Sequence, residues 1–215
     1  MLFRSLITTQ DALYPGSWHP TGKFLAFSQV FATTGYDVMV APIEGDEASG
    51  WRVGKATAIA NLQSLEYAPV FSPDGHWIAY HSNETGRQQV FVRPFPGPGG
   101  KWQISTDGGS YPVWSKVRHE LLYASPDNRI MVVSYAATGD SFVADKPQLW
   151  SDVRFLPRFR GPGGNVGRPF DLHPDGNRVA LATALDNEDK TKQDKVAFVF
   201  NFSDELRRIA PVKSR

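Results

Sequence analysis

The residues of this chain whose types could do chemistry are its histidines, an acidic run, a glycine-lysine loop and a serine in a glycine-rich setting. Gly97-Pro98-Gly99-Gly100-Lys101 ends like a loop that cradles phosphate. Such a loop needs a glycine five residues before the Gly-Lys pair and a serine or threonine after it. Phe95 and Trp102 hold those positions, so the stretch reads as a turn between strands. Gly161-Pro162-Gly163-Gly164 reads as a loop for similar reasons. His19, His76, His81, His119 and His173 fall at no metal-ligand spacing. Asp186-Asn187-Glu188-Asp189 lacks the alternate-residue acids of a calcium loop and reads as a solvated hairpin tip. A serine nucleophile on a strained elbow needs Gly-x-Ser-x-Gly. No such pentapeptide occurs, and Gly109-Ser110-Tyr111-Pro112 reads as the start of a strand. Cysteine is absent, which excludes disulfides, thiolate catalysis and cysteine zinc sites. The expectation is a chain without catalytic residues, metal or cofactor.

The elements that would position any site come from a repeat. Ser17-Trp18-His19-Pro20-Thr21-Gly22 precedes Phe24–Phe27, and Phe71-Ser72-Pro73-Asp74-Gly75 precedes Trp77-Ile78-Ala79-Tyr80. Leu172-His173-Pro174-Asp175-Gly176 is a third copy. Trp114-Ser115-Lys116-Val117-Arg118 is degenerate, with Lys116 for the proline and Arg118 for the glycine. The chemistry is strand, tight corner, strand. Proline presets φ, the residue before it caps the turn, and glycine tolerates the exit geometry. Third strands follow at 37–42, 89–94, 130–135 and 195–201, rich in the residues strands prefer. Fourth strands fit 56–60, 101–105 and 144–150, with long loops at 41–55, 153–167 and 185–194. A short helical turn fits 203–209.

Four-stranded units recurring every 40–45 residues or so are blades of a β-propeller. The expected fold is all-β, with about four blades near 14–60, 67–105, 110–150 and 168–202, and a tail at 203–215. Residues 1–13 hold a strand, 4–9, that either closes the ring or remains from a lost preceding blade; the second is favoured. A two-layer sandwich also has short strands, but has no reason to repeat one corner. Trp18, Phe71, Trp77, Trp102, Trp114 and Trp150 are expected to fill the gaps between blades, with a glycan-stacking surface as the alternative.

In a propeller, the loops into each first strand and those joining second and third strands converge on the mouth of the central channel. These loops carry Tyr14, Tyr67, Tyr111 and Arg168, with Asn83, Glu84 and Arg87 from one blade. Such a surface suits a protein, peptide or glycan. Net charge of +1 over 215 residues gives no electrostatic case for nucleic acid or an anionic membrane. Arg154, Arg158 and Arg160 are the one local basic cluster. The content of 41% apolar and 21% charged residues is that of a globular protein. No signal peptide or membrane span is read in the chain.

The Ser-Pro-Asp-Gly corner followed by Trp77-Ile78-Ala79-Tyr80 resembles the TolB-type, WD40-like propeller repeat, across most of the chain. Such relatives usually have six or more blades, so the chain is expected to be a partial six- to eight-bladed propeller. An open arc would expose a blade face and strand edges and so self-associate. A narrower resemblance runs through Phe71–Gly75, Ser82-Asn83-Glu84-Thr85-Gly86-Arg87, Val92–Ser105 and Asn201-Phe202-Ser203-Asp204-Glu205-Leu206-Arg207-Arg208. These segments are similar to the extracytoplasmic propeller of many bacterial serine/threonine protein kinases. In that family the propeller follows a kinase domain and a membrane anchor. The kinase signatures are absent from this sequence, so the resemblance implies a non-catalytic sensor or interaction module. The alternatives are the accessory propeller of a prolyl-oligopeptidase-like peptidase and a free-standing TolB-like peptide or glycan binder.

Overall fold

The chain divides into two compact units, Met1–Thr183 and Ala184–Arg215. The computed structural model describes residues 7, 9–60, 63–156 and 168–181, all in the first unit. The strand expected at 195–201, the helical turn at 203–209, the acidic run at 186–189, Gly161–Gly164, Arg158 and Arg160 lie outside the described residues. Of the strand expected at 4–9, Ile7 and Thr9 are described and carry no strand.

Among the described residues the regular elements are all strands. β1 (Leu13–Trp18), β2 (Phe24–Phe31), β3 (Gly35–Glu44), β4 (Arg52–Val53) and β5 (Thr57–Ala60) form the first antiparallel sheet. β6 (Glu66–Phe71), β7 (Trp77–Ser82), β8 (Gln89–Pro94) and β9 (Trp102–Gln103) form the second, in sequence order. β10 (Ser110–Trp114), β11 (Glu120–Ala124), β12 (Ile130–Thr138), β13 (Ser141–Ala144) and β14 (Gln148–Ser151) form the third. β15 (Phe170–Leu172) and β16 (Val179–Leu181) pair as a hairpin.

The repeated corner joins first to second strand each time. In the second sheet Ser72 N–H donates to Trp77 O at 2.9 Å, and Gly75 N–H donates back to Ser72 O at 3.0 Å. Ser72 Oγ accepts from Trp77 N–H at 3.0 Å. His19 and His173 keep the same backbone bonds, to Phe24 O and Arg178 O. Their Nδ1 atoms accept from Thr21 N–H and Asp175 N–H, both at 3.2 Å. Gly22, Gly75 and Gly176 have φ of 72°, 77° and 69°, where a Cβ is penalised. The degenerate copy still closes Ser115 N–H onto Glu120 O at 2.9 Å. There Ser115 Oγ caps Val117 and Arg118 N–H, and no glycine is needed.

The sheets stack face to face in chain order. Every residue of β7 is buried. Trp77 and Ala79 join one core with Trp114, Leu121 and Tyr123 of the third sheet. Ile78 and Tyr80 join another with Ala26, Val38 and Val40 of the first. β11 splits likewise, with Leu122 and Ala124 turned toward Phe170 of the β15–β16 hairpin. A two-layer sandwich buries one face of each sheet; here middle sheets bury both. This is the packing of β-propeller blades.

Three expectations need correction. The stretch 41–55 is not one loop, because β3 runs on to Glu44 and pairs with β4. The fourth strand expected at 144–150 is split. β12 overruns its blade and pairs through Tyr135–Thr138 with β13, then through Ile130–Val132 with β14. The overrun brings Phe142 to 5.0 Å from Trp77 of the second sheet and Tyr135 to 5.1 Å from Trp114. Third, Trp18 fills no gap and is 51% exposed. Phe71 and Trp114 each point back at the preceding sheet. Among the described residues no sheet precedes the first.

Candidate functional site

The site begins with an irregularity shared by the first strands. β1, β6 and β10 each break register against their partner, between Pro15/Ser17, Tyr67/Val70 and Ser110/Val113. A bulge re-aims the side chains beside it. Ala68 and Tyr111 sit in the bulges at φ of 55° and 54°, left-handed values that cost a non-glycine residue of the order of 1–2 kcal/mol. The first strand uses Gly16 there, because a Cβ would run into Pro69 O of the next blade.

The bulges turn tyrosines toward one another at the end where the first strands start. Tyr14 and Tyr67 lie 5.5 Å apart at 65°, and Tyr67 and Tyr111 lie 6.3 Å apart at 74°. Tyr36, at the start of β3, lies 5.6 Å from Tyr14 and 5.3 Å from Tyr67. Tyr14, Tyr36 and Tyr67 are half-buried and Tyr111 is buried. A hydrogen bond with the Tyr14 side chain that favours the protonated phenol, then burial, raise Tyr36 above its ordinary value. His81 is buried against this row, 4.8 Å from Tyr111 and 5.7 Å from Tyr67. Its Nδ1 accepts from Tyr111 N–H at 3.2 Å, so that nitrogen carries no proton and the neutral ring has its proton on Nε2. The imidazole thereby holds the strained Tyr111 backbone.

The charged residues are occupied differently. Glu84 pairs with Lys101, whose ammonium lies 5.1 Å from the Phe91 ring centre. Asn83 Oδ1 accepts from Leu65 N–H at 2.8 Å. Arg87 is exposed. Arg168 pairs with Asp171 at 3.4 Å, within its own hairpin. Glu66 is fully buried and accepts from the hydroxyls of Ser64 and Ser82. The structure therefore brings Tyr14, Tyr67 and Tyr111 together. The described contact of Arg168 is with its own hairpin, not with that row.

Tyr36, His81 and Glu66 are additions that sequence reading missed. Register would have found two of them, since Tyr67 lies opposite His81 and Glu66 opposite Ser82. Ser125-Pro126-Asp127-Asn128 was missed as well. It is the same corner chemistry, with Asn128 at φ 64°, but it joins second to third strand. Ser125 Oγ donates to Asp127 Oδ1 at 2.6 Å. That bond, then Arg129, holds the Asp127 carboxyl below its usual range. Among the described residues no group of three or more histidines and acids is arranged to hold a metal.

Stacked antiparallel sheets of four or five strands, each with a bulged first strand, define a β-propeller module. No family model matches the chain. It is similar to the uncharacterized protein Atu1656 of Agrobacterium fabrum, 26% identical over 170 residues, covering 78% of this chain and 49% of the relative. It is also similar to Tricorn protease homolog 1 of Streptomyces coelicolor, 29% identical over 153 residues, covering 70% of this chain and 12% of the relative. Among solved structures it is similar to one provisionally named TolB, from Agrobacterium tumefaciens. There the TM-score is 0.46 at 20% identity, over 66% of this chain and 52% of that one. A structure provisionally named 6-phosphogluconolactonase, from Bacteroides uniformis, has a TM-score of 0.53 at 15% identity, over 80% of this chain and 48% of that one. That likeness concerns the fold. The chain thus spans about half of Atu1656 and a small part of the protease homologue.

Proposed function

We propose that this chain is a recognition module that does no chemistry of its own and binds a protein, peptide or glycan at the mouth lined by Tyr14, Tyr36, Tyr67 and Tyr111. One observation carries the reading: tyrosines from three successive sheets, three half-buried and Tyr111 buried, converge with neighbouring centroids 5.3–6.3 Å apart. Convergent aromatic rings on a rigid scaffold are the usual anchors of a binding surface. The polar groups beside them serve structure: His81 accepts from a backbone N–H, and serine hydroxyls donate to Glu66. The finer reading is a sensor of a membrane-anchored signalling kinase. The resemblance of the Phe71–Arg87 and Val92–Ser105 segments to that family supports it.

A second reading, the accessory propeller of a peptidase, is favoured by the similarity to Tricorn protease homolog 1. The coding sequence on either side separates them: a kinase domain and apolar span upstream support the first, a peptidase domain in the same chain the second. The mouth is tested by screening the chain on peptide and glycan arrays, then repeating with Tyr14→Ala/Tyr67→Ala. Binding of a defined probe, lost by at least tenfold in the double variant with the fold intact, is expected. Probes that bind both proteins equally, or no probe at all, would refute the reading.

A further inference from the structure

Tyr14, Tyr36 and Tyr67 pack as a mutual triangle, with ring centroids 5.6, 5.5 and 5.3 Å apart. All three are half-buried, whereas Tyr80, Tyr111 and Tyr123 are buried. The remaining tyrosine, Tyr135, is half-buried but lies against Trp114, His119 and Phe142, with no tyrosine among its described ring contacts. The triangle is therefore where an oxidant in solution meets more than one phenol at once. Its sides differ. Tyr67 meets Tyr14 at 65° and Tyr36 at 87°, edge against face. Tyr14 and Tyr36 are inclined by only 39° and are joined by a hydrogen bond between their side chains. The strands fix this pair in place. Tyr14 sits opposite Ser28 and Tyr36 opposite Val30, two residues apart on β2, so both rings rise from one face of the sheet. The only polar group of a tyrosine side chain is its hydroxyl, so the bond brings hydroxyl to hydroxyl. It thereby draws together the ring carbons next to each oxygen, the carbons at which phenoxyl radicals couple.

We propose that Tyr14 and Tyr36 are an oxidative coupling site, at which a one-electron oxidant of the haem-peroxidase class, fed by hydrogen peroxide, joins the two rings into dityrosine. Each phenol gives up one electron and its hydroxyl proton. The two phenoxyl radicals form one carbon–carbon bond, and each ring then moves the hydrogen of its bonded carbon to its oxygen, restoring both hydroxyls. The two electrons and two protons reduce one hydrogen peroxide to two waters. The bond ties β1 to β3 across β2, in a chain whose lack of cysteine rules out a disulfide there. It does not depend on the mouth taking a ligand. The test treats the dilute full chain with a haem peroxidase and hydrogen peroxide, isolates the monomer, and reads dityrosine by its fluorescence. Lys23 lies between Tyr14 and Tyr36, and Arg52 and Lys55 separate both from Tyr67, so trypsin puts the three on different peptides. The expected product joins the Tyr14 and Tyr36 peptides and is lighter than their sum by the two lost hydrogens. Tyr14→Phe and Tyr36→Phe should each lower the dityrosine of the monomer by about tenfold or more, because a pre-positioned pair outruns chance encounters. Tyr67→Phe, which spares that pair, should leave it within about twofold. Thermal melts verify the fold of the variants, and the peptide map of the parent protein needs no variant. A monomer without dityrosine, or a map that joins Tyr67 or any other pair, overturns the proposal.

Discussion

At positions 19, 72 and 173 the chain uses two unlike side chains for one task. A serine hydroxyl and a histidine Nδ1 both put an acceptor a short reach from the following amides, and both cap the same corner. Residue-level reasoning recovered this because turn chemistry is local. It missed His81 and Tyr36, whose roles exist only after strands pair. Asp37 illustrates a local cost. It is buried, Thr34 donates to its Oδ2 at 2.9 Å, and its Oδ1 has no partner among the described residues. Burial raises its carboxyl above the ordinary range, outweighing the hydrogen bond from Thr34. A group whose folded pKa is raised binds protons better folded than unfolded. The charged form therefore costs stability at neutral pH, and the cost is relieved as pH falls through the raised folded value. Asp37→Asn should accordingly stabilise the protein at pH 7, moving Tm by about 2–4 °C for each kcal/mol gained. The advantage should shrink toward about pH 4. Melts at the two pH values measure it, and an advantage that grows on acidification would contradict the assignment.

At the scale of elements, corners also lock one blade to the next. His19 Nε2 lies 3.1 Å from Gly75 O, and Arg118 bonds Gly176 O in the following hairpin. A Cβ at Gly75 would run into the His19 ring, while one at Gly22 meets nothing within 4 Å. Both glycines are left-handed. Gly22→Ala should cost about 1–2 kcal/mol for backbone conformation alone, and Gly75→Ala clearly more. Removing the ring with His19→Ala should bring the two costs together; urea unfolding of the parent and His19→Ala proteins, each alone and with either glycine variant, measures this as two cycles. Equal costs without that change would mean the corners do not touch. The corners and strand cores were legible because Pro-x-Gly and alternating apolar residues mark them. The β12–β13 overrun was not, since Gly139-Asp140 is an ordinary turn signal and nothing local says that a strand leaves its own sheet.

For the whole molecule, the alternation that buries both faces of β7 and β11 is what makes the stack, and it was legible only as a repeat period. The exception is informative. Trp18 is 51% exposed, although its counterparts Phe71 and Trp114 are buried. An exposed indole at the edge of a stack favours association. The mean mass by light scattering should rise with concentration, and Trp18→Ser should flatten that rise. Identical curves would show that this edge is not sticky.

The backward-pointing anchor gives the stack a direction of growth. Each repeat brings its own plug for the seam behind it and leaves the seam ahead for its successor. A duplicate of residues 66–105 grafted in front of β1 would meet a ready-made plug in Trp18. The same duplicate grafted behind would have to supply that plug itself. Lengthening such an array by gene duplication is therefore asymmetric: the newcomer in front is received by the old first blade, and the newcomer behind must receive the old last one.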